Sequence, residues 1–190
     1  KGGAERILPF RYVAAARAAP QFEPALDKAL LAALEEAEAF KGKTIALVDV
    51  SGSMSDKISR KSDMSRMDAA AALGALIKSD DLRVFTFSSD LKEVPARRGM
   101  SGVDAIINSQ PHGMTHLGAA LAKVYKIPHD RLIVITDEQS HDTVPNPVAA
   151  KSYMINVASN RNGVGYGPWT HIDGFSDGVI RFIHESERAE

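Results

Sequence analysis

Apolar positions along the 190-residue chain change their period several times, and each change marks an element. Residues 45–48, Ile-Ala-Leu-Val, form a short unbroken apolar run of the kind expected from a strand buried on both faces of a parallel sheet. The signature returns at residues 82–87 and most strongly at 131–136, where Leu132, Ile133, Val134 and Ile135 are consecutive. Residues 91–95 read as a hairpin partner at a sheet edge, where Pro95 is tolerated. Further strands are expected at 153–158 and 170–172. Elsewhere the period is helical. A helix over 9–19 opens on Pro9 and stops before Pro20. Over 24–40, Leu26, Ala29, Leu30, Ala33, Leu34, Ala37 and Phe40 share one stripe, with Gly42 as breaker and the first strand starting at Lys43. Helices are also predicted at 64–79 (apolar on most sides), 103–108, 117–125 and 146–152. A closing helix runs from Ser176, with Asp177 and Gly178 suited to its capped start.

Strands and helices that alternate at these lengths predict an α/β fold: a doubly wound, mostly parallel six-stranded sheet with one antiparallel edge strand and helices on both faces. Residues 1–41 read as a helical approach segment, expected to end a preceding helical-repeat domain, and 42–190 as the α/β domain. The chain starts at Lys1 with no signal-like segment, so it reads as part of a longer protein. A net charge of −1 argues against a domain whose main task is coating nucleic acid. No cysteine is present, which removes disulfides and thiolate metal sites. No apolar run approaches the roughly 18 residues that span a bilayer.

The candidate chemistry begins where the first strand ends. Asp49, Ser51 and Ser53 fall on the loop past a strand's carboxyl end, where open α/β sheets place ligands. One carboxylate and two hydroxyls on a Gly-containing turn are hard oxygen donors, suited to Mg²⁺ and lacking a soft donor for zinc or copper. Two more segments are expected on the same edge. One is Gly113-Met114-Thr115-His116-Leu117-Gly118, the other Ile135-Thr136-Asp137.

In order and spacing these segments resemble the von Willebrand factor A domain and its metal-ion-dependent adhesion site, whose D-x-S-x-S…T…D signature falls on Asp49, Ser51, Ser53, Thr115 and Asp137. The resemblance covers about residues 40–185. It implies a bound Mg²⁺ (or Mn²⁺ or Ca²⁺), direct coordination by the three hydroxyls and water-mediated contact from the two aspartates. One position is left for an acidic group of a partner. Two departures bear on affinity: Met114 stands where Gly is usual, and Glu138 where Gly is common. A narrower resemblance, to the C-terminal part of the Ro autoantigen (TROVE) family, rests on Ile7-Leu8-Pro9-Phe10-Arg11, on residues 48–54 and on Asp173-Gly174-Phe175 with Val179-Ile180-Arg181-Phe182. Those proteins join a ring of HEAT-like helical repeats to an A-type domain and bind small non-coding Y RNAs and misfolded RNA. The resemblance implies a cytoplasmic ribonucleoprotein that holds RNA mainly through the upstream ring.

Other features carry less. Lys57, Arg60, Lys61 and Arg66 make a candidate RNA-facing patch, although Asp56, Asp63 and Asp68 interleave with them as in a solvated loop. Arg97-Arg98 is a weaker version of the same feature. His112 and His116 lack a third zinc ligand, and His116 is expected beside the metal loop. Met54, Met64 and Met67 read as core, and Trp169 and Tyr166 as packing residues. Gly163-x-Gly165-x-Gly167 comes too late in the chain for a dinucleotide loop. Enzymatic readings fare poorly: Ser51 stands where a paired-aspartate phosphatase needs its second carboxylate, and Ser53 lacks the second Gly of a nucleophile elbow. The sequence thus points to a non-enzymatic, cation-dependent binding domain of a Ro-like particle in non-coding RNA quality control. A protein-only adhesion or scaffold domain and a metal-dependent hydrolase are the alternatives.

Overall fold

The long apolar runs become parallel strands because both faces of the sheet are covered. In the computed structural model, which describes residues 8–60, 62–158 and 167–189, the elements are α1 (Pro9–Ala18), α2 (Glu23–Glu35), β1 (Phe40–Asp49), α3 (Arg66–Leu76), β2 (Ser79–Phe87), β3 (Leu91–Val94), α4 (Gly99–Ile107), α5 (Leu117–Val124), β4 (Arg131–Thr136), β5 (Lys151–Asn156), β6 (Thr170–Asp173) and α6 (Asp177–Arg188). The six strands lie in the order β3-β2-β1-β4-β5-β6. All pairs are parallel except the edge pair β2–β3. The predicted fold class is the observed one.

Alternate residues of β1 point to opposite faces. Ala46 and Val48, with Ile133, Ile135 and Ile155, face a layer built from α3, α4 and α6, on which α1 and α2 also pack. Ile45 and Leu47, with Leu132 and Val134, face α5 through Leu117, Leu121 and Val124, and Trp169 joins this second layer. Burial of each large aliphatic side chain contributes about 1.5–3 kcal/mol, so both layers hold the sheet. Helix α3 lies close on β1 because its sheet side is small: a Cβ on Gly74 would fall 2.9 Å from the Val48 Cγ2 atom. Arg17 of α1 bridges Asp68 of α3 and Asp104 of α4, each at 3.0 Å, and ties the N-terminal helices to the domain.

Three expectations need correction. Helix α2 ends at Glu35, not near Phe40. Phe40 instead opens β1 with its N–H donating to the Lys78 carbonyl, while the Lys78 ammonium donates to the carbonyls of Glu35 and Ala37. The helix predicted at 146–152 does not form. Pro145 and Pro147 interrupt it, the carbonyls of Pro145 and Asn146 accept from the Trp169 indole and the Tyr125 hydroxyl, and Lys151 already pairs with Arg131 in the sheet. Asp177 does not cap its own helix; its carboxylate accepts from the Phe10 N–H, capping α1 instead. Tyr166 and most of the Gly163–Gly167 motif lie outside the described residues.

Candidate metal centre at the sheet switch point

β1 has β2 on one side and β4 on the other, so the chain reverses direction across the sheet between β1 and β4. That is the switch point where α/β sheets open a crevice at their carboxyl ends. Asp49 is the last residue of β1, and Asp137 follows the last residue of β4. Thr115 arrives on the loop before α5. This loop is stitched to the first one by the Gly52 N–H donating to the Gly113 carbonyl (2.9 Å), and to the turn just after β2 by the His116 N–H donating to the Ser88 carbonyl (3.1 Å).

The three loops bring the predicted residues together. The Thr115 hydroxyl donates to the Ser51 hydroxyl at 2.8 Å, and the Ser51 and Ser53 hydroxyls are 3.4 Å apart. The Ser51 N–H donates to one Asp49 carboxylate oxygen at 2.9 Å, and the Thr136 hydroxyl donates to the other at 2.7 Å. Asp49, Ser51, Thr115 and Asp137 are buried, while Ser53 is half-buried and Gly52, Gly113 and Met114 are exposed, so the cluster reaches solvent along one side. Burial pushes the Asp49 carboxyl up to about 7, and neighbouring Asp137 adds to the rise, against the hydrogen bonds from Ser51 and Thr136. A buried carboxylate held that high is one whose negative charge lacks full compensation.

Among the described residues no group of three or more His, Cys, Asp or Glu side chains could hold a metal ion. A cation at this edge would therefore rest on hydroxyls as much as on carboxylates. Clustered Ser and Thr oxygens backed by two aspartates fit a hard divalent ion.

Two supporting residues, Thr136 and His141, are not assigned by the sequence, whereas His116 is expected beside the metal loop. Thr136 was passed over, yet β1–β4 pairing matches Val48 with Ile135 and so sets Thr136 beside Asp49. His141 holds the Thr115 loop: its Nδ1 accepts from the Thr115 N–H at 3.1 Å and its N–H donates to the Thr115 carbonyl at 2.9 Å. His116 meets His141 edge-on, with ring centroids 6.4 Å apart, and the His112 ring reaches the Val50 carbonyl. Glu138 has φ of 60°, the left-handed region, which accounts for a preference for Gly there. Its buried carboxylate turns away from solvent to the His171 imidazole, 2.5 Å distant.

The basic patch divides. Lys57 and Arg60 are exposed on the loop after the serines, and Lys61 lies outside the described residues. Arg66 does not join them in solvent. Its guanidinium turns inward, with one nitrogen 3.1 Å from Asp137 and 3.4 Å from Asp56. Arg97 and Arg98 are exposed beside α4, on a different face of the fold.

Residues 44–139 match the model of the von Willebrand factor type A domain. The chain belongs to that family. No curated protein matches it in sequence. Among solved structures, the Ro (RSR) protein of Deinococcus radiodurans superposes on this A domain with a TM-score of 0.67 at 16% identity, covering 90% of this chain and 42% of that one. At that identity the likeness is one of fold, and the chain spans less than half the length of that protein. No helix among the described residues is long and apolar enough to cross a membrane.

Proposed function

We propose that this A domain binds a divalent cation, Mg²⁺ or in its place Mn²⁺ or Ca²⁺, and through it an anionic oxygen of a partner, without catalysing a reaction. The observation that carries the reading is the convergence of the Ser51, Ser53 and Thr115 hydroxyls over the buried Asp49, with Asp137 alongside. Ser51, Ser53 and Thr115 would hold the ion, and Asp49 and Asp137 would balance its charge. When bound, the ion supplies a Lewis-acidic position for a carboxylate or phosphate oxygen. The protein positions that exchange: the Gly52–Gly113 hydrogen bond and the His141 contacts fix the Thr115 loop against the serines, and Thr136 fixes Asp49.

Fold likeness to the Deinococcus Ro protein and the sequence features shared with the Ro family support a place in a cytoplasmic ribonucleoprotein that handles non-coding RNA. On this reading the A domain engages an acidic group of a protein or RNA partner, and an upstream helical-repeat ring carries most of the RNA affinity. The net charge of −1 favours the protein-only adhesion or scaffold role for this segment taken alone. Thermal unfolding with and without Mg²⁺ or Mn²⁺ tests the metal reading. Either ion is expected to raise Tm, and Ser51→Ala and Asp137→Ala to abolish the rise; variants that respond like the parent would remove the ligand assignment.

A further inference from the structure

Arg66, a member of the candidate RNA-facing patch, is in direct contact with Asp137 of the candidate metal centre. It is the first residue of α3, and its backbone is fixed on both sides. Ser65 and Asp68 close a reciprocal capping box, the Ser65 hydroxyl accepting from the Asp68 N–H and the Asp68 carboxylate accepting from the Ser65 N–H, both at 3.0 Å. The Arg66 N–H itself donates to the Asp56 carbonyl at 2.8 Å. From this anchored position one guanidinium nitrogen reaches two carboxylates of opposite character. Asp137, at 3.1 Å, is fully buried; Asp56, at 3.4 Å, has a side chain 72% exposed.

We infer that Arg66 is a resident counter-cation: it neutralises Asp137 while the centre holds no metal, and it must shift toward Asp56 for a divalent ion to use Asp137. The inference rests on the metal reading above. Two positive groups drawn to one buried carboxylate repel each other where screening by water is weak. Without the ion, Asp49 and Asp137 would otherwise put two carboxylates side by side in the interior, so the guanidinium stabilises the empty fold. With the ion, the same guanidinium is an electrostatic cost, lessened by the exposed carboxylate already within reach. Arg66 therefore lowers cation affinity and couples occupancy to the loop from Asp56 to Ser65, whose ends are joined by the Lys57–Ser65 bridge and the Asp56–Arg66 backbone bond. That loop carries the exposed Lys57 and Arg60, so its position bears on whatever anionic partner approaches the ion.

The test is Mg²⁺ titration by calorimetry of the whole chain, alongside melting in EDTA, for the parent, Arg66→Gln, Arg66→Lys and Asp56→Asn. Arg66→Gln is expected to bind Mg²⁺ about tenfold tighter or more while melting lower in EDTA. Arg66→Lys, which keeps the charge, is expected to stay near the parent in affinity. Asp56→Asn, which removes the exposed resting place, is expected to bind more weakly. A parent that binds Mg²⁺ while Arg66→Gln binds equally or less tightly overturns the inference and leaves the metal reading standing. Should Arg66→Gln fail to fold, an Asp56→Asn affinity equal to or above the parent's overturns it equally. Absence of any Mg²⁺ response in parent and variants alike removes the metal reading, and this inference with it.

Discussion

The side chain of Asp177, the first residue of α6, accepts a hydrogen bond at 2.6 Å from the backbone N–H of Phe10, in the first turn of α1 and 167 residues away in sequence. Helix α1 carries no capping side chain of its own, since Leu8 precedes it and Pro9 opens it. A carboxylate from the far end of the chain takes that place, so the N-terminal helix and the last helix of the A domain depend on each other. Removal of a capping side chain costs about 1 kcal/mol. Asp177→Ala is therefore expected to lower stability by that amount in urea unfolding and to increase proteolysis within residues 8–35. Unaltered stability and cleavage would mean that α1 is held by its apolar face and Arg17 alone.

At the opposite end of the sheet Arg131, only 2% exposed, lies over the Phe40 ring at 4.4 Å and pairs with Glu187 of α6. Lys151 and the Tyr153 hydroxyl also donate to Glu187. Burial alone would raise the Glu187 carboxyl, but Arg131 and Lys151 outweigh it and hold it down at about 2, against an ordinary 4.5. Between those values the unfolded chain binds a proton that the folded one does not. The stabilisation is thus complete above about pH 4.5 and is lost as pH falls toward 2, an effect of roughly 3 kcal/mol at most, lessened by solvent screening of the pair. In denaturant titrations across this window, Glu187→Gln is expected to start less stable at neutral pH and to show a shallower acid limb. Parallel acid limbs for parent and variant would assign the acid sensitivity elsewhere.

The clustering of the candidate residues is legible in the sequence because each is a short polar signal at the end of an apolar run: Asp49 after β1, Asp137 after β4, Thr115 before α5. Their partners are not, because they depend on relations between segments. Thr136 needed the β1–β4 register, and His141 needed the path of the loop after β4. Arg66 reads as solvated because it stands among aspartates, and nothing local says that its side chain turns toward a strand end 71 residues on. Phe40 satisfied a helical stripe and a strand start equally well. What decided was the sheet: pairing with Ser79 and stacking on His184 at 3.8 Å belong to the strand alone.

The exposed Lys57 and Arg60 flank the loop on which Ser51 and Ser53 sit. If the domain helps to hold RNA, these cations supply a screened, sequence-independent attraction. Binding of single-stranded RNA to this chain is expected to be weak and to fall steeply as salt rises. Lys57→Glu with Arg60→Glu, both at exposed positions, is expected to weaken it further while leaving the protein folded. Gel-shift or anisotropy titrations at two salt concentrations decide the point. RNA binding insensitive to both the salt and the double variant would exclude this loop as the contact.

The start of α5 is closed by the loop that follows β4. Asp142 accepts from the N–H groups of Gly118 and Ala119, both at 2.8 Å, in place of any cap from His116. Burial would raise its carboxyl, but these bonds and the Ser140 hydroxyl overcome that and hold it below the usual aspartate range. The approach is so close that a Cβ on Gly118 would fall 2.1 Å from the Thr143 carbonyl oxygen. Neither group is the far end of a flexible side chain, so either the helix or the loop must move. Gly118→Ala is therefore expected to destabilise the protein by about 2 kcal/mol or more, and Asp142→Ala by about 1 kcal/mol. Because the same loop carries Asp137 and the His141 that grips Thr115, both variants are also expected to weaken the Mg²⁺ response. Their double variant should lose less than the sum of the two, since each disrupts one contact between the same two segments. Urea unfolding with and without Mg²⁺ measures all of this. A Gly118→Ala protein as stable as the parent would show that the loop can yield without disturbing the centre.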